Sequence, residues 1–185
     1  TKLVELENSA AIRDDQGEAL SERIQATIAR CKALSQQRLR RLREHLAAQD
    51  LDGFVVPRSD EHLGEYISAR AERLQWLTGF NGSAGLAIVT ADAAVIFTDG
   101  RYTLQVRDQV DVDLYATRHI GDAPPSDWLR AFFPLGGKLG YDPWLHTKDS
   151  LKRLQTALTE RQATLVAVDS NPIDQVWADQ PPYPL

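Results

Sequence analysis

The stretch FNGSAGLAIVTADAAVIFTDGRY, residues 80–102, holds two apolar runs, LAIVT and AAVIFT, that meet around residues 90–93. Neither run shows the polar alternation of a half-solvated strand, and neither is long enough for a helix. They read as adjacent strands of a hairpin buried on both faces. A hairpin buried in this way needs helices above and below its sheet, so the stretch predicts an α/β domain rather than an open β structure.

On the N-terminal side of the hairpin, Gly79, Gly82 and Gly85 recur at every third residue. A dinucleotide-binding turn requires strand, glycine-rich turn and helix in that order, so that a helix N-terminus faces the phosphates. Here the glycines precede a strand, and GxxGxxG is not the required spacing. They read instead as backbone devices: Asn81 and Gly82 as a tight turn with positive φ, and Gly85 as a close backbone approach at the start of a strand. Ser83 also precedes a strand, and no GxSxG elbow exists, so the serine-hydrolase arrangement is not supported. On the other side, Asp99 is placed to cap a helix beginning in DGRY, and Arg101 could clamp a carboxylate through two bonds.

The remaining elements alternate. Leucines and isoleucines at three- and four-residue steps from Leu20 to Leu46 predict one broken helix or two helices parted near Ser35, ending at DLDG. GFVVP (53–57) predicts a buried strand, and residues 71–77 a short helix. RYTLQVRDQV predicts a helix, VDLYATR a strand, and PPSDWLRAFF a helix begun by its prolines or Ser126. A strand is expected at 138–141, a helix capped by Thr147 with Leu151, Leu154 and Leu158 inward, a last strand in TLVAVD, and a final helical turn in NPIDQVW. The expected fold class is α/β, with about six strands in a mixed β-sheet flanked by helices.

Composition excludes several functions. A net charge of −5, with the basic residues scattered apart from RLRRLREH (38–45), argues against nucleic acid or an anionic membrane as partner. No apolar run approaches the roughly 20 residues of a membrane helix. The first residues lack the basic and apolar regions of a secretory signal. Cys31 is the single cysteine, which removes internal disulfides and cysteine-based metal patterns and suits a reducing, cytoplasmic setting; it is expected to pack as a small apolar residue. Trp76, Trp128 and Trp177 are expected in the core, whereas Trp144 follows a proline in a loop and is a candidate interface residue.

The four histidines lie in four different elements. Only His62 has acidic neighbours, Asp60, Glu61 and Glu65, a grouping that is either a metal or acid-base site or a solvated loop. By themselves the residues describe a helper or binding domain without a complete catalytic set.

LDGFVVPRSDEHLGEYI, RLQWLTGFNGSAGLAIVTADAAVIFTDGRYTLQV, DWLRAFF, LGYDPWLHT and NPIDQVWADQPPYP, spanning roughly residues 35–185, together resemble the N-terminal domain of Xaa-Pro aminopeptidases (aminopeptidase P) of the creatinase and prolidase superfamily. The resemblance implies a creatinase N-terminal domain-like fold of ribonuclease H-like type. It implies residues 35–180 as the domain and 181–185 as the start of a linker to a second domain; residues 1–34 lie outside it and are expected to be an arm or helical extension. It also implies a parent that removes an N-terminal residue preceding proline from peptides. The catalysis would lie in a C-terminal domain with two divalent ions, usually manganese, held by two Asp, one His and two Glu that have no counterpart here. No catalytic or metal residue carries over. His62, Tyr66, Arg101 and Trp144 are the candidate substrate-access or interface residues, the expected partners are the parent's other domains and a second subunit, and the location expected is cytoplasmic. A free-standing binding domain of the same fold without peptidase activity is the alternative.

Overall fold

The computed structural model describes residues 15–183, and their side chains from residue 20 onward. Residues 1–14 of the expected arm or helical extension lie outside the described residues; from Asp15 onward the chain is helical.

That helix, α1 (Asp15–Ala48), runs unbroken through Ser35, so the expected break is corrected. No glycine or proline lies between Gly17 and Gly53, and a serine inside a helix costs only a few tenths of a kcal/mol. The inward positions Ile24, Ile28, Leu39, Leu42 and Leu46 are buried, and Ser35 falls on the same stripe, with its hydroxyl oxygen also enclosed. Leu34, by contrast, is exposed. The helix stops where Asp50 turns left-handed (φ 57°) and the Leu51 amide reaches back to the Leu46 carbonyl at 3.0 Å, a C-cap that aspartate tolerates.

The strands are β1 (Gly53–Pro57), β2 (Gly85–Thr90), β3 (Ala94–Thr98), β4 (Ala116–His119), β5 (Lys138–Tyr141) and β6 (Thr164–Ala167). They form one sheet in the order β4-β3-β2-β1-β5-β6. The β1–β2 and β2–β3 pairs are antiparallel, and the β3–β4, β1–β5 and β5–β6 pairs are parallel. The hairpin therefore sits inside the mixed sheet, as its lack of polarity requires. The strand predicted over 112–118 begins only at Ala116; residues 112–114 form a turn in which the Leu114 and Tyr115 amides both bond to the Asp111 carbonyl.

Alternation along each strand divides the core into two layers. Phe54, Val56, Ala87, Val89 and Ile96 face α1, α2 (Arg73–Thr78), α3 (Thr103–Gln109) and α6 (Pro172–Val176). Val55, Ile88, Val95 and Phe97 face α4 (Pro125–Phe132) and α5 (Lys148–Glu160). Trp76, Trp128 and Trp177 are buried in these layers, and Trp76 and Trp177 stack with ring centroids 5.4 Å apart. Pro125 opens α4, and the Thr147 hydroxyl accepts from the Ser150 amide at 3.2 Å to cap α5.

The glycine run is a packing device of a different kind from the expected turn. Gly82 does not have positive φ; Gly79 does (φ 82°), at the end of α2, where its amide donates to the Gln75 carbonyl. A β-carbon on Gly82 would lie 2.2 Å from the Phe80 ring, and one on Gly85 would crowd Leu74 and the same ring at 3.0 Å. The glycines make room for the buried Phe80 side chain. Cys31 is exposed rather than packed, because it borders a recess between α1 and the end of α3. The basic run is used within the domain: Arg38 donates to the Trp76 carbonyl at 2.7 Å and Arg43 to the Thr90 carbonyl at 2.8 Å.

Candidate functional site

Three mutually parallel strands, β1, β5 and β6, end on the same edge, and the loops that follow them frame an open groove of about 650 Å³. Loops at the carboxyl ends of parallel strands are where α/β folds place binding sites. Glu61 and His62 come from the loop after β1, Asp142 and Trp144 from the turn after β5, and Asp169 and Asn171 from the loop after β6. Arg70 and Arg73 form another wall.

Each loop is held by a short polar side chain. The buried Asp60 carboxylate accepts from the His62 amide at 3.1 Å and the Gly64 amide at 3.2 Å, fixing a turn in which Leu63 is left-handed (φ 54°). Asp142, also buried, accepts from the Trp144 amide at 3.0 Å and from the Asn171 side-chain amide at 2.9 Å. Asn171 in turn accepts from the Ile173 amide and caps α6. Trp144 thus stands on a short 3₁₀ turn that two bonds pin down, with its ring 74% exposed. A rigid aromatic side chain left in water loses little entropy on contact and suits a binding surface.

The groove floor is an ion pair. The Arg73 guanidinium donates to both Asp174 oxygens, at 2.7 and 2.8 Å, with its side chain only 9% exposed. Burial acts to lower the Arg73 pKa, but the Asp174 bonds outweigh it and hold the group above its ordinary value. Two of the acidic side chains around it are engaged: Asp174 by Arg73, and Asp142 by Asn171 and the Trp144 amide. Among the described residues, no three or more His, Cys, Asp or Glu side chains gather so as to hold a metal ion. Asp60, Glu61, His62 and Glu65 do not form such a site, because the Asp60 carboxylate faces its own loop amides.

The structure brings His62 and Trp144 into one groove and leaves Tyr66 and Arg101 outside it. Tyr66 is 90% exposed. Arg101 pairs with Asp99 at 2.7 Å, which also accepts its backbone amide and caps the turn, so the carboxylate it clamps is its own neighbour's. Next to it, Tyr102 shares a hydrogen bond of 2.5 Å with Ser83, which lowers the phenol below its ordinary pKa. The sequence reading missed Arg70, Arg73 and Asp174 as groove residues. The Arg73–Asp174 pair joins positions about a hundred residues apart, and only the tertiary fold places them together.

Fold and groove define a helix-covered α/β domain with an open groove framed by hydrogen-bonded loops and, among the described residues, no assembled metal centre. The sequence profile of the creatinase/prolidase N-terminal domain matches residues 38–176, and the chain belongs to that family. It is 38% identical over 144 residues to human Xaa-Pro aminopeptidase 2, covering 77% of this chain and 21% of that protein. Among solved structures, it superposes on the X-prolyl aminopeptidase of Caenorhabditis elegans, a cytosolic enzyme with a di-nuclear active site. The TM-score is 0.73 with 28% identity, over 80% of this chain and 26% of that one. The N-terminal domain of the cytoplasmic peptidase PepQ from Mycobacterium tuberculosis aligns with a TM-score of 0.57 and 30% identity, over 76% of this chain and 98% of that domain. The chain spans about a fifth of the length of the curated relatives it matches. Among the described residues, no helix is long and apolar enough to cross a membrane.

Proposed function

We propose that the chain is the non-catalytic N-terminal domain of a metal-dependent Xaa-Pro aminopeptidase, where it shapes access of the peptide and assembly of the enzyme. Residues 35–180 would be the domain and residues 181–185 the start of a linker. The observation that carries the reading is the 38% identity to a human Xaa-Pro aminopeptidase across 77% of this chain but only 21% of that protein. Such a peptidase needs a polarised carbonyl and an activated water, supplied in the proposed parent by two divalent ions, of which manganese is our candidate. Asp142 and Asp174 of this groove are committed to amides and to an arginine, so the reading assigns them positioning and no bond-breaking.

In this reading His62 and Trp144 meet the peptide or a neighbouring domain, and Tyr66 and Arg101 belong to a separate contact. A cytoplasmic setting, supported by the description of the nematode relative as a cytosolic enzyme, and a homodimeric parent complete the proposal. The test is to assay the parent polypeptide on Xaa-Pro peptides with and without a chelator. Release of the N-terminal residue, lost on chelation and restored by manganese, is expected. A parent that binds such peptides without cleaving them would overturn the peptidase reading.

A further inference from the structure

Beyond α6 the chain folds back over the 3₁₀ turn Ala69–Ala71 and α2. The Gln180 side-chain amide donates to the Arg70 carbonyl at 3.1 Å and to Asp174 at 2.7 Å. Arg70 Nη1 donates to the Pro181 carbonyl at 2.9 Å, and its guanidinium carbon lies 4.1 Å from the centroid of the Tyr183 ring. The local sequence QPPYP prepares this contact. Pro181 and Pro182 have fixed φ, and Gln180, Pro181 and Tyr183 each precede a proline, so the run favours extended, polyproline II backbone before any contact forms.

A preformed extended segment loses little entropy on docking, and here it is held by its own chain through a carbonyl and an aromatic ring. The Arg70 Nε is enclosed and has no hydrogen-bond partner among the described residues, so Pro181 and Tyr183 are the groups that orient its guanidinium. We propose that the Arg70 side chain is a latch that fixes the course of residues 181–183 over the domain, with Pro181 and Tyr183 as its catch; in the multidomain parent, on the reading above, it would set the direction in which the polypeptide leaves this domain. Arg70, Gln180 and Tyr183 also line the groove that carries Trp144, so an occupant of the groove bears directly on the latch. Arginine is needed because a lysine ammonium has no planar face to lay under the ring.

Amide ¹⁵N relaxation on the 185-residue chain tests this. Order parameters near about 0.85 are expected at Asp179, Gln180 and Tyr183, as for rigid backbone. In Arg70→Ala the value at Tyr183 should drop below about 0.6, while Gln180, which keeps its bonds to the Arg70 carbonyl and Asp174, stays rigid together with α2, α6 and the sheet. Arg70→Lys should fall between the two at Tyr183, Tyr183→Ala should leave the amide of residue 183 as mobile as Arg70→Ala does, and the double variant should add nothing. A wild-type segment already mobile at these amides, an unchanged Arg70→Ala, an Arg70→Lys equal to wild type, or a loss spread equally over the sheet would each overturn the latch.

Discussion

Gly82 and His146 show how single side chains, or their absence, set the limits of this domain. A methyl on Gly82 would lie 2.2 Å from the Phe80 ring, whereas one on Gly64 meets nothing closer than 3.7 Å. Gly82→Ala should therefore cost about 1–3 kcal/mol through forced repacking, and Gly64→Ala should be close to neutral. Urea midpoints of the two variants compare them directly. His146 packs edge-on to Tyr141, with centroids 5.9 Å apart, and its Nε2 is enclosed with no hydrogen-bond partner among the described residues. Burial, only partly opposed by Asp142, lowers its pKa to about 4. The folded state thus prefers the neutral ring, while the unfolded chain takes up a proton near the ordinary value of about 6.5. Its stabilising effect is complete above about pH 6.5 and is lost as pH falls from there to about 4, by at most about 3 kcal/mol. His146→Gln should lose less stability than wild type between about pH 7 and pH 4.5 in urea titrations. Equal losses would contradict this account.

At the scale of elements, the hairpin and the Arg73–Asp174 pair contrast in how far sequence reveals them. The runs of β2 and β3 announce an interior hairpin because nothing polar interrupts them, and amides such as Ile88 and Ile96, both fully buried, should be among the slowest to exchange. Rapid exchange throughout residues 87–97 would refute the interior position. Helix α1 was harder to read, since Ser35 looks like a break until the stripe from Ile28 to Leu39 is seen to pass through it. The glycines were legible as scaffold, but which of them is left-handed was not, because that depends on Phe80 and α2. The Arg73–Asp174 pair had no local signature. Arg73→Met leaves Asp174 as an uncompensated carboxylate at the groove floor and should cost about 3–5 kcal/mol, the range for breaking a buried pair, or somewhat less because Asp174 is 20% exposed. Replacing both partners by apolar residues should recover much of that loss. Thermal unfolding of the single and double variants measures both effects.

At the scale of the whole molecule, family membership was legible from GFNGSAG, TDGRY and DPW in their order, while the groove was not. His62 and Trp144 stood out by composition and context, yet their meeting in one groove follows from β1 and β5 being parallel neighbours, which local pattern does not encode. Trp144 is highly exposed, so Trp144→Ala should change the stability of the isolated chain by no more than about 0.5 kcal/mol. In the parent protein it should weaken assembly about tenfold or more, as loss of an aromatic anchor does, read by sedimentation equilibrium; unchanged assembly would remove Trp144 from the interface. The central claim is that this domain positions and does not cleave. Its most direct test is to incubate the purified 185-residue chain with manganese and an Xaa-Pro peptide while measuring bound metal. The account predicts no release of the N-terminal residue and no stoichiometric pair of ions; turnover that disappears in His62→Ala would place the chemistry in this groove and contradict it.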